Sequence, residues 1–89
     1  MQNEADFSAE SAATVKGLLA KLSTHPNLSP DQKQVARNYE LDVVPGMTRV
    51  DHGSGVGRSY VESFLRSVLK CNIPNDLYHE IWSCISLLK

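Results

Sequence analysis

The sequence predicts an all-α protein: a small four-helix bundle built from two helical hairpins, with a long glycine-rich loop between them. Three observations predict it. Apolar residues recur at spacings of three and four in every long segment outside the middle of the chain. Serine and proline start signals precede those segments. The two halves also repeat weakly: Leu18 to Asp31 and Phe64 to Asp76 each run from two apolar residues through a basic residue and a further apolar one to an asparagine and then a proline. Two such hairpins stacked face to face make a bundle.

The elements follow in chain order. Met1 to Asp6 is polar and aperiodic, and is expected to be disordered. Ser8 suits an N-cap with Glu10 in the first turn, and Phe7, Ser11, Val15, Leu18, Leu19 and Leu22 then share a face. Gly17 lowers propensity within this helix by about 1 kcal/mol and is read as a tolerated glycine. Ser23 to Leu28 is a connection. Ser29, Pro30 and Gln32 supply an N-cap, a first-turn proline and the third-position glutamine of a capping box. The helix they start has a thin apolar face of Val35, Ala36, Tyr39 and Val43, so it is expected on the outside.

From Val44 to Arg58 the chain is expected to be a mobile loop. Val44, Pro45, Gly46 and Met47 have the form of a type II turn, and a small hairpin of Asp42 to Val44 with Met47 to Val50 is the minor alternative. Ser59 and Glu62 fit a second capping box, which places a helix start near Ser59. Val56, Tyr60, Val61, Phe64, Leu65, Val68 and Leu69 form its stripe, and Asn72 to Pro74 ends it. A last helix follows with Leu77, Tyr78, Ile81, Trp82, Ile85 and Leu88 on a broad apolar face, where Trp82 is expected to be the central packing residue.

Composition narrows the role. The 89 residues make one domain, residues 1–89, and carry 9 basic and 10 acidic side chains for a net charge of −1, which disfavours polyanionic partners. Cys71 and Cys84 lie in no close-spaced motif and read as reduced packing residues, with a bridge between them disfavoured. No stretch approaches the ~20 apolar residues of a membrane span or resembles a signal peptide, so a soluble, cytoplasmic protein is expected.

The run Asn72, Ile73, Pro74, then Ile81 and Trp82, then Ile85, Ser86, Leu87 and Leu88 resembles the C-terminal signature of an uncharacterised family of small archaeal helical proteins. Leu18 to Arg37 is loosely similar to that family's first hairpin, so the resemblance covers about half of the chain. The glycine-rich middle and the Pro45 turn have no counterpart in it. The resemblance implies a helical bundle and no site residues.

Four constellations in the chain contain residue types that can carry chemistry. Gly53 to Ser59 feeds a helix, as phosphate loops do, but its outer glycines are one residue too close, Arg58 stands where lysine is needed, and no strand precedes it. Asp51, His52 and Ser54 are the residue types of a hydrolytic triad, yet they are sequence neighbours, whereas a triad draws on separate parts of a fold. His25, His52, His79, Cys71 and Cys84 show no zinc-ligand spacing. Arg49, Arg58, Arg66 and Lys70 raise a helix-turn-helix reading, but the last helix offers His79, Glu80, Ser83 and Ser86 where base readers would stand.

No catalytic set, cofactor or metal site is therefore expected. The reading is a non-enzymatic protein-protein interaction module, such as a regulator, inhibitor, immunity-type protein or assembly factor, with a small nucleic-acid-binding regulator as the alternative. Self-association as a homodimer is expected through Leu77, Ile81, Ile85 and Leu88, with Met47, Val50, His52 and Arg58 of the middle loop as further partner-binding candidates.

Overall fold

The computed structural model describes residues 9–47 and 55–88, and all of its regular structure is helical. The expectations for residues 1–6 and for Phe7 and Ser8 lie outside the described residues. Helix α1 spans Ala9–Leu22 and buries Ala12, Val15, Leu18, Leu19 and Leu22, with Glu10 in its first turn and Lys21 in its last, as the helix dipole favours. Gly17 is exposed and a Cβ there would meet nothing within 4 Å, so no close crossing requires it. The helix closes through Ser23 N–H to the Leu19 carbonyl at 2.9 Å and His25 N–H to the Leu22 carbonyl at 3.2 Å. Leu28, in the turn that follows, is buried in the core.

Helix α2 spans Pro30–Asn38, and its start is the capping box read from the sequence. Ser29 Oγ accepts from the Gln32 amide at 3.1 Å, and Gln32 Oε1 accepts from the Ser29 amide at 3.1 Å. Gln32 also donates through Nε2 to Cys71 Sγ at 3.4 Å, so the residue that caps α2 ties it to the far end of the chain. Only Ala36 of α2 is fully buried, in keeping with an outer helix.

Beyond Asn38 the expected turn and hairpin do not form. Tyr39–Val43 is a π-helical turn and Val44–Met47 is a short helix, α3, continuous with it. Val44 N–H donates to the Tyr39 carbonyl, five residues back. Proline has no N–H for the carbonyl four residues earlier, and its ring clashes with it in a regular helix. A wider π turn just before Pro45 relieves that clash and lets the helix continue, so the Pro45-Gly46 pair bends the chain without reversing it. Val44 and Met47 are thereby delivered to the core. The stretch Thr48 to Ser54, with the second half of the expected hairpin, lies outside the described residues.

Helix α4 spans Gly55–Val68, so the glycine-rich stretch is helical from Gly55 onward and Ser59 lies inside the helix, four residues after its start. The second capping box is accordingly not made: Glu62 pairs with Arg66 instead, at 3.0 Å. Gly57 has a packing role, since a Cβ there would stand 3.1 Å from Met47 Cγ and 3.2 Å from Val43 Cγ1. Helix α5 spans Asn75–Leu88, directly after Pro74, whose carbonyl accepts from the Tyr78 amide at 3.0 Å.

Helix α1 packs against α2, the π turn, α3 and α5, while α4 packs against α3 and α5. Tyr39 and Phe64 meet edge to face with centroids 5.7 Å apart, joining the π turn to α4. Asn27 Nδ2 donates to the Asn72 carbonyl at 2.7 Å, which links the two interhelical turns through the asparagines that the internal repeat aligns. Among the described residues no buried side-chain nitrogen or oxygen lacks a partner.

Candidate binding surface

Helix α5 has a hydrophobic stripe wider than one core can cover. Leu77, Ile81, Cys84, Ile85 and Leu88 are buried, with Ile81 at 0% exposure. Trp82 follows Ile81 and so points about 100° further round the helix, and Tyr78 stands one turn before it. Both aromatics are 38% exposed. The expectation that Trp82 is the central packing residue is therefore corrected: Ile81 and Ile85, together with Leu18, Leu19 and Leu22 of α1, fill that place.

The two aromatics sit at the seam between α4 and α5, where other side chains hold them. Tyr78 and Trp82 stack edge to face at 6.5 Å, and Tyr78 meets His79 at 5.8 Å. Arg66 of α4 lies over the indole, its Cζ 5.5 Å from the ring centroid. Glu62, one turn earlier on α4, accepts from Arg66 Nε and Nη2 at 3.0 Å each. The chain of contacts Glu62, Arg66, Trp82, Tyr78 limits the rotamers open to the exposed indole. On the opposite flank of α5, Lys21 Nζ of α1 bonds Glu80 at 3.0 and 3.1 Å, and Leu87 is 40% exposed.

The anticipated partner contacts that fall among the described residues each have a definite place. Met47 is 1% exposed, and Leu77, Ile81, Ile85 and Leu88 are all core, so the homodimer face expected from that stripe is spent inside the chain. The reason is α1, whose Val15, Leu18, Leu19 and Leu22 need an apolar partner and find it in α5. Arg58 is half-buried within α4. Val50 and His52, with Arg49, Asp51 and Ser54, lie outside the described residues. The sequence reading weighed Arg66 only as a basic residue toward nucleic acid and missed Tyr78 and Glu62 as surface groups, although the helical angle between Ile81 and Trp82 was there to be read.

Cys71 and Cys84 are free thiols, the first half-buried beside Gln32 and the second in the core. Burial pushes the Cys84 thiol up from 9.0 to about 11, the nearby Glu80 carboxylate adds to this, and Lys21 opposes it. The unfolded chain gives up this proton near pH 9 and the folded chain only near 11, so the contribution is complete below pH 9 and lost as pH rises toward 11. At about 1.4 kcal/mol per unit the loss is of order 2–3 kcal/mol. Urea midpoints of the wild type should therefore fall more steeply over that window than those of Cys84→Ala, with the difference confined to it.

Among the described residues no helix is long and apolar enough to cross a membrane, and no group of three His, Cys, Asp or Glu side chains is placed to hold a metal ion. No protein family, curated protein or solved structure matches the chain.

Proposed function

We propose that this protein is a non-enzymatic protein-protein interaction module, a four-helix bundle of two hairpins that docks through the outer side of the α4–α5 seam. The observation that carries the reading is the braced aromatic pair Tyr78 and Trp82, held in the open under Arg66. Tyrosine, tryptophan and arginine are the residues that dominate binding energy at protein interfaces, and a pre-ordered indole loses little entropy on docking. The exposed side of α5 carries no lysine or arginine from Asn75 to Leu88, which favours a protein partner over a nucleic acid, whose phosphates need cations.

The test is a photo-crosslinking amino acid placed at the exposed position Ser83, irradiated in a lysate of the source cell. A discrete protein adduct that disappears when Trp82→Ala is added, with helicity unchanged, is the expected result. An adduct pattern indifferent to Trp82→Ala, or no adduct at all, counts against the proposal.

A further inference from the structure

On the interaction reading above, the charges and donors of the α4–α5 seam select the chemistry of what docks there. Glu62 takes the Nε and Nη2 side of the Arg66 guanidinium, while Nη1, on a side chain 45% exposed, has no partner among the described residues. One fork of the arginine is open. Lys70, four residues further on in the turn that closes α4, is exposed and pairs with no acid among the described residues. The indole N–H of Trp82 and the hydroxyl of Tyr78 also lack hydrogen-bond partners among the described residues. Asp76 is exposed too, but it lies two residues before Tyr78 and so about 200° round α5, on the flank of Leu87. Glu80 is held by Lys21.

The floor of the seam is apolar and angled. Tyr78 and Trp82 stand at 71° to each other with centroids 6.5 Å apart, a corner that seats one aliphatic side chain. We infer that the partner's docking segment is acidic: an aliphatic side chain fills this corner, a carboxylate beside it takes the open fork of Arg66, and Lys70 takes a second. The planar guanidinium matches a carboxylate with two parallel hydrogen bonds, so the contact fixes direction as well as charge. A basic segment would meet Arg66 and Lys70 as like charges. A nucleic acid depends on many phosphate contacts, and Arg66 and Lys70, in a chain of net charge −1, supply few.

The probes are synthetic peptides with the same central leucines, flanked on both sides by glutamate, by glutamine or by lysine. Binding is read from the emission of Trp82, the single tryptophan of the chain. The glutamate peptide should bind most tightly, the glutamine peptide about tenfold more weakly and the lysine peptide least, with salt narrowing the spread. Arg66→Gln combined with Lys70→Gln, both at exposed positions, should keep wild-type helicity and bring the glutamate peptide down to the affinity of the glutamine peptide, whose own binding stays the same. A glutamine or lysine peptide that binds as tightly as the glutamate one overturns the acidic partner, as does a glutamate preference that survives the double substitution. So does a uridine oligonucleotide that binds more tightly than the glutamate peptide, or a Trp82 emission that no peptide moves. The Ser83 crosslink separates these failures from failure of the docking surface. A Trp82-dependent adduct leaves the surface standing with a different occupant, and its absence removes both readings.

Discussion

Ile81→Glu should leave the protein unfolded. Ile81 is at 0% exposure among Leu77, Cys84, Ile85 and the apolar side of α1. Losing a buried isoleucine costs about 2–5 kcal/mol, and a carboxylate with no partner in the same space adds several more. Stability of about 0.05–0.15 kcal/mol per residue gives a chain of 89 residues roughly 4–13 kcal/mol in all. The substitution consumes most or all of it. Far-ultraviolet circular dichroism should show the helical signal lost at neutral pH. A helical, monomeric Ile81→Glu would mean that this stripe faces solvent and that the packing of α1 on α5 is not the core.

Met47→Ala should be the most damaging change in the middle of the chain, lowering stability by about 2–3 kcal/mol. Met47 is 1% exposed, and its Cγ lies against the backbone of Gly57, where no side chain is available to fill the space left behind. At about 4–8 °C per kcal/mol for a domain of this size, the melting temperature should drop by roughly 10–20 °C. A thermal melt within a degree or two of wild type would place Met47 on the surface, as the reading of this stretch as a loop supposed.

That contrast shows which signals in the chain are local and which are not. The start of α2 was legible because a capping box involves only Ser29 and Gln32, three residues apart, and their hydrogen bonds require nothing from the rest of the fold. The apolar stripes of α1, α4 and α5 were legible from their period. The Pro45-Gly46 pair was not, because the same two residues serve a type II turn and a bent helix, and the choice is made by the burial of Val44 and Met47. Gly55 and Gly57 argued for a loop by propensity, and tertiary packing overrode them; at Gly57 the missing Cβ lets α4 lie close against Met47 and Val43.

The docking surface was hidden for a related reason. Trp82 belongs to the apolar face of α5 by sequence, and the face is wider than the core it covers. Which edge is left outside depends on where α1 and α4 sit against α5, and that is not written in the period of α5 itself. The bracing of the indole by Arg66 depends on a second helix in the same way. Helical angles alone say that Ile81 and Trp82 diverge; only the fold says which of them is inside.

Acrylamide quenching of Trp82 in dilute solution tests most directly whether the tryptophan faces outward while Ile81 fills the core. A single tryptophan, 38% exposed, should quench readily in the native state and emit at longer wavelength than a core indole, and Trp82→Ala should keep the helical fold, with a melting temperature lowered but a cooperative transition retained. A native tryptophan shielded from acrylamide at every dilution, together with an unfolded Trp82→Ala, would contradict it by placing the indole at the centre of the core.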